Sequence, residues 1–357
     1  MDSKFHCPEC DSPKVSAVTR RKFVQTVGAT VAATSASSFA LPAVAGVKKS
    51  PKPENVVKKL YASLSPQQKE KVCFAWDYEN KYGVLRTHVS NNWHITPQTI
   101  ASDFFTNDQE DMIEAIFFGL YEPDWRDKIM IQLKDDAGGY GEKQNIAIFG
   151  EPGSGKFEFV MTGRHLTIRC DGDSTEHPAF GGPIFYGHAA QGFHEKADHP
   201  GNVFWHQALK ANKLYKMLDG KQRKQALVSK APAEEKVHFQ GKDGKFSGIP
   251  VAELSADQKE HLEGVLETLL EPYRKIDKKE AMRCLNEQGG LDTCSVTFYQ
   301  TGAQNNESKN GDIGNDGVWD IWRLEGPSFV WHWRGAPHVH VWVNIADDPS
   351  FKINCHG

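Results

Sequence analysis

The fifteen residues from Val330 to Asn344 set β-branched and aromatic side chains in alternation on both sides of the breaker Gly335-Ala336-Pro337. A period of two interrupted by a Gly/Pro cluster predicts two strands joined by a tight turn. That constrains the histidines in the stretch, because residues two apart on a strand point to the same face. His338 and His340 therefore share a face, with Cα atoms about 6.5–7 Å apart, close enough for both rings to bind one metal ion. Neutral imidazole suits zinc, copper, iron or nickel. The alternative is that both rings pack beside Trp331, Trp333 and Trp342 as polar members of a half-buried sheet, since two ligands do not make a site.

Upstream of this hairpin the hydrophobic period changes more than once. Glu54 to Ser63 and Pro66 to Ala75 suit two short helices, the second capped by Ser65. Val84 to Thr96 is expected to hold His94 in a strand or an ordered loop. Met112, Ile113, Ile116, Phe117 and Leu120 fall on one helical stripe that starts at Asn107-Asp108, and Asp124 to Leu133 follows as another helix after Pro123. A meander comes next: Asn145–Phe149, Phe157–Met161 and Leu166–Cys170. The Gly/Pro loop Pro178–Gly187 is too apolar to be simply solvated. Helices return over Ala208–Leu218, Lys221–Val228, Ala256–Leu270 and Lys278–Leu285, with Ala231–Gly248 a charged, Gly-rich loop or boundary. Ser295–Thr301, Val318–Leu324, Phe329–Trp333 and Val339–Val343 form a last set of strands, with Asn305–Asp316 a polar excursion.

The class is therefore α+β: antiparallel sheets, a central meander and a C-terminal four-strand set, flanked by helices in one compact domain over residues 64–344. Residues 46–63 are a linker and first helix, and 345–357 a C-terminal tail. Leu64–Lys69 and Leu254–Lys259 resemble each other, which fits an internal repeat or a shared capping signal.

The first 45 residues look like an address. Thr19-Arg20-Arg21-Lys22-Phe23-Val24 is a twin-arginine signature; an apolar run from Val27 to Ala40 and the small residues Ala43-Val44-Ala45 follow it. Export to the periplasm or outside the cell is the expectation. Twin-arginine export generally carries folded proteins, which favours a cofactor inserted beforehand. Cys7-Pro8-Glu9-Cys10 is half a zinc-ribbon pattern without its other half. Cys284 and Cys294 could close a short bridge, though a precursor folded in a reducing compartment makes none obligatory. No mature segment is apolar for long enough to span a membrane. A net charge of −4, with no basic stripe, argues against nucleic acid.

Gly150-Glu151-Pro152-Gly153-Ser154-Gly155-Lys156 nearly spells a phosphate-binding loop. Phe157 replaces the Ser/Thr that would hold magnesium, and a strand follows where a helix is required, so no nucleotide is expected. Gly153-Ser154-Gly155 also lacks the elbow that exposes a nucleophilic serine.

Trp93-His94, Phe149-Gly150-Glu151-Pro152, Gly163-Arg164-His165-Leu166-Thr167, Pro178-Ala179-Phe180-Gly181-Gly182, Gly326-Pro327 and His338-Val339-His340 occur in an order that resembles the domain of unknown function 3500 family. The resemblance runs from about Leu64 to Asn344 and is to an exported bacterial form. It implies one domain with the histidines brought together, and little chemistry. The family typically has two adjacent histidines where this chain has Arg164-His165, and more often an acidic residue where His332 stands.

His165 begins the third meander strand and His338/His340 the last strand, each just after a tight turn. If the two ends meet, three imidazoles form a centre for a divalent zinc, copper or iron ion, with one position open. His332 or His94 would be a fourth ligand or an acid/base. Arg164 would hold an anionic substrate group, with the aromatic strip and the Pro178–Gly187 loop as the apolar wall. The function expected is a metal-dependent hydrolase or oxidoreductase acting on a small molecule. The alternative is a secreted small-ligand-binding protein without turnover.

Overall fold

The structure is a computed structural model that describes residues 52–189, 199–302, 321–335 and 337–356. The expected signal segment, the excursion at 305–316 and His194 lie outside these residues. Eight α-helices are described: α1 (Pro53–Ser63), α2 (Pro66–Val72), α3 (Asn107–Gly119), α4 (Arg126–Ala137), α5 (Trp205–Met217), α6 (Gly220–Ala226), α7 (Ala256–Leu270) and α8 (Lys275–Glu287). None is long and apolar enough to cross a membrane.

Eleven strands join in one sheet. They are β1 (Cys73–Phe74), β2 (Gln144–Gly150), β3 (Phe157–Gly163), β4 (Leu166–Cys170), β5 (Ile184–His188), β6 (Leu227–Val228), β7 (Ile249–Pro250), β8 (Ser295–Tyr299), β9 (Ile321–Gly326), β10 (Phe329–Arg334) and β11 (Val339–Ile345). The order is β1-β2-β3-β4-β5-β11-β10-β9-β8, with β7 and β6 both on the outer edge of β8.

The two antiparallel sheets expected from the sequence are therefore one mixed sheet. Two features account for the difference. β5 lies in the stretch expected as a loop and pairs antiparallel with β4 on one side and β11 on the other. It can do so because residue 187 is glycine: a Cβ there would sit 2.2 Å from the Val339 carbonyl oxygen. At the edges, β1 pairs parallel with β2, and β6 parallel with β8. A parallel pair needs a long crossover, and α3–α4 and α7–α8 supply one each.

Counting α-helices and the strands of the large sheet, the succession α-α-β-α-α-β-β-β-β occurs twice, from α1 to β5 and from α5 to β11, with β7 as an extra strand. Capping boxes mark equivalent positions. Ser65 with Gln68 starts α2 as Asp219 with Gln222 starts α6; Thr106 with Gln109 starts α3 as Ser255 with Gln258 starts α7. In each copy the two capping glutamines also bond to each other, Gln68 Nε2 to Gln109 Oε1 at 2.8 Å and Gln222 Nε2 to Gln258 Oε1 at 3.0 Å. Leu120-Tyr121-Glu122-Pro123 returns as Leu269-Leu270-Glu271-Pro272. A repeat is thus present, but in a different register from the one Leu64 and Leu254 suggested: Ser255 corresponds to Thr106. The equivalent strands β5 and β11 meet antiparallel at the centre, with Tyr186 opposite Val341.

Pairing separates the two faces. Thr167, Phe185, Trp342, His332 and Arg323 lie side by side in one row across β4, β5, β11, β10 and β9. The opposite face holds Tyr186, Val341, Trp333 and Trp322, which join helical residues such as Val57, Phe117 and Leu266 in the main core. Trp331 and Trp333 therefore point away from the histidines, and of that aromatic strip only Trp342 shares their face. Cys284 and Cys294 are both buried free thiols.

The tail turns back on the domain. Asn354–Cys355 pairs parallel with His88–Val89, and His88 packs against Trp93 and His356, with ring centroids at 4.4 and 5.2 Å. Burial, with the charges of His356 and Arg169, pushes the His88 imidazole down to about 4. A folded pKa below the unfolded one means that the unfolded chain binds the proton more readily. Stability should therefore fall as pH drops from about 6.5 to about 4, by roughly 3 kcal/mol at most. Urea unfolding of wild type and His88→Gln at both ends of that window should show a steeper acid loss in wild type.

Candidate metal centre

The first histidine is delivered by a hairpin. Gly163 pairs with Leu166, leaving Arg164-His165 as a two-residue turn between β3 and β4. His165 sits at φ +50°, a left-handed conformation that costs a side-chain-bearing residue about 1–2 kcal/mol. Of the other two, His338 immediately precedes β11 and His340 is its second residue, opposite Gly187. The meeting of β5 and β11 thus brings residues 175 positions apart in the chain into contact.

Their Nε2 atoms converge. His340 Nε2 is 2.9 Å from His338 Nε2 and 3.1 Å from His165 Nε2, and one ring nitrogen from each of the three lies within 4.8 Å of the others. All three residues are buried, each 1% exposed. Metal–nitrogen bonds of about 2.0–2.1 Å at tetrahedral angles would separate ligand atoms by about 3.3 Å, close to these spacings. The three residues could hold a metal ion.

Two carboxylates fix the His165 and His340 rings from behind. Asp136, in the last turn of α4, accepts from His165 Nδ1 at 2.7 Å and from Arg164 Nε at 2.9 Å. Glu234 accepts from His340 Nδ1 at 2.9 Å, from Arg334 Nη1 at 2.6 Å and from Trp342 Nε1 at 3.1 Å. Each arm therefore runs arginine–carboxylate–histidine, and its charges cancel. Burial opposes ionisation of Asp136, but His165 and Arg164 hold its carboxyl below the usual range. Burial also lowers the His165 and His340 pKa values, favouring neutral rings. With Nδ1 protonated toward a carboxylate, a neutral ring presents a lone pair at Nε2.

The remaining candidates are placed differently. His332 is buried on the same sheet face, and its Nδ1 accepts from Arg323 Nε at 3.2 Å. Burial, then the Arg323 charge, push its pKa well down. His94 is exposed and supplies no ligand atom to the group. Arg164 is the partner of Asp136. Phe185 and Trp342 form the aromatic wall, with Phe185 5.4 Å from His340 and 5.0 Å from Trp342 between ring centroids. The Pro178–Gly182 part of the expected wall goes elsewhere: Phe180 N–H donates to Glu280 of α8 at 3.0 Å, and its ring packs on Tyr273. Among the described residues a second group lies nearby. His188 Nε2 and His199 Nδ1 sit 3.0 and 3.4 Å from Asp135 Oδ2, and the Gly201 N–H points to His199 Nδ1.

Neither carboxylate has a sequence signal of its own. Asp136 belongs to an ordinary Asp-Asp pair ending a helix, and Glu234 to a charged loop. The one available clue was the requirement that a metal-binding imidazole find an acceptor for its other nitrogen. The internal repeat does not duplicate the centre. Pro327-Ser328 stands between β9 and β10 where Arg164-His165 stands between β3 and β4.

A mixed sheet backed by helices, with three imidazoles meeting where its halves join, defines a helix-and-sheet protein with a candidate metal centre. The chain matches the family described as protein of unknown function (DUF3500) over residues 49–310, and it belongs to that family. No curated protein and no solved structure matches it. The matched span contains Asp136, His165 and Glu234 and ends before His338 and His340.

Proposed function

We propose that this is an exported enzyme that depends on a divalent metal ion held by Nε2 of His165, His338 and His340. The observation that carries the reading is the 3.1 Å approach of His165 Nε2 to His340 Nε2 while the Nδ1 of each faces its own carboxylate. Two lone pairs at that distance repel unless a cation lies between them. Three nitrogen donors leave a fourth position open, as in catalytic rather than structural zinc sites. An ion bound there would supply Lewis acidity, acidifying a water or polarising a substrate oxygen.

The chain's own residues set the rest. Asp136 and Glu234 orient the rings and fix their tautomers. Their charges are already balanced by Arg164 and Arg334, so the two charges of a divalent ion go uncompensated in a dry site, which favours an anionic fourth ligand. His332, with Nδ1 occupied by Arg323, keeps its proton at Nε2 and serves as a hydrogen-bond donor on that face. Phe185 and Trp342 exclude water. This donor set favours hydrolysis with zinc; copper or iron would make the protein an oxidoreductase. The Thr19–Val24 motif supports the export part of the proposal.

The burial of all three rings supports a second reading, a binding protein in which the ion only ties β4 to β11. Metal analysis of the protein purified without a histidine tag, followed by cobalt substitution, separates the two. One equivalent of metal, and a cobalt spectrum that changes on adding azide, is the enzyme result. One equivalent with a spectrum indifferent to azide is the structural result. Less than about a tenth of an equivalent removes the centre altogether.

A further inference from the structure

We infer that the cavity beside Arg323 is an oxyanion subsite, which binds a carboxylate, sulfate or phosphate group of a small molecule. The cavity, of about 530 Å³, is lined by Lys230, Lys236, Lys245, Tyr299, Arg323 and Glu325 among others. Arg323 is the fixed element. It is 4% exposed, its Nε is used on His332, and its Nη1 lies 3.6 Å from Glu325 Oε1. Its Nη2 is buried without a hydrogen-bond partner among the described residues. A buried guanidinium N–H without an acceptor costs about 1–3 kcal/mol, and native structures rarely tolerate one. An oxyanion in the cavity supplies that acceptor with a charge-assisted bond.

The charge balance points the same way. Four basic side chains line the cavity against the single carboxylate of Glu325, which also accepts from Gln240 Nε2 at 2.9 Å. The lysines are exposed and stand at the rim, where they raise the local concentration of anions without the cost of burial. Arg164, by contrast, is committed to Asp136, so the anion-holding role expected of it passes to Arg323.

Arg323, His332 and Trp342 are neighbours in one row, and His340 lies on the same strand as Trp342. Two strand spacings across the sheet and two residues along β11 separate the Cα atoms of Arg323 and His340 by about 12 Å. The cavity stands without the metal ion; that its occupant is the substrate rests on the metal-centre reading. On that reading the substrate is a small molecule whose anionic group is anchored at Arg323 while its reacting group lies beyond His332.

The test is calorimetric titration of the full mature chain with sodium sulfate at constant ionic strength, with metal content measured on the same samples. Saturable binding to one site is expected. Lys236→Gln with Lys245→Gln, both at exposed positions, should weaken it about three- to tenfold. Arg323→Gln should weaken it by more than about tenfold. If Arg323→Gln does not fold, the double lysine variant decides. Absence of saturable sulfate binding, or affinity unchanged in the lysine variant, overturns the subsite. Sulfate binding by a protein that holds no metal keeps the subsite and removes only the metal-centre reading.

Discussion

On the proposed metal centre, His340→Ala is expected to lower the metal content from one equivalent to less than about a tenth, with an affinity loss of more than about a hundredfold. His340 is the middle member of the three: its Nε2 touches both His338 and His165, so no two-histidine remnant keeps the original spacing. His165→Ala should behave similarly even though it changes the other half of the sheet. His94→Ala, on an exposed residue outside the group, should keep the full equivalent and is the control. Metal analysis of the four proteins, all without tags, checks the set. Full metal content in His340→Ala would mean that any bound ion sits elsewhere.

Glu234→Gln is the second large effect. The substitution keeps the shape of the side chain but removes the charge that balances Arg334 and one of its two acceptor oxygens, so Arg334 and His340 no longer each have an oxygen of their own. Arg334 is 6% exposed, and stranding a buried guanidinium costs on the order of 3–5 kcal/mol. Removing the carboxylate behind a ligating imidazole typically lowers metal affinity 10–100-fold. The variant should therefore unfold at clearly lower urea concentration and also bind metal more weakly. Because a bound ion adds stability, the two effects are separable only by unfolding in excess chelator, where the stability difference attributable to Arg334 remains. Equal stability of the two proteins in chelator would show that Arg334 finds another partner.

Much of the site was legible in the residues and much was not. His338 and His340 were placed on one face by period two alone; His165, expected to begin the third meander strand, lies instead in the turn before it. The residues that make these rings a centre were hidden. Asp136 ends an amphipathic helix whose polar end is normally solvated, and Glu234 lies in a loop of unremarkable charge. β5 was masked by the Pro178–Gly187 composition, and pairing with β4 and β11 makes Ile184–His188 a strand. The repeat was legible only as a likeness between capping signals, because Ser65 and Asp219, or Thr106 and Ser255, share a function and not a residue type.

Local order determined most helices, the long strands other than β5 and the face their side chains take, because backbone sterics and side-chain period act over a few residues. Only the tertiary structure decided that two strand sets are one sheet, that two copies of a unit meet at β5 and β11, and that a helix end and a loop supply the carboxylates. Those outcomes depend on contacts between residues distant in the chain, 29 positions for Asp136 and His165 and 175 for His165 and His340. Their energies come from burial and charge pairing that no local window of the chain contains.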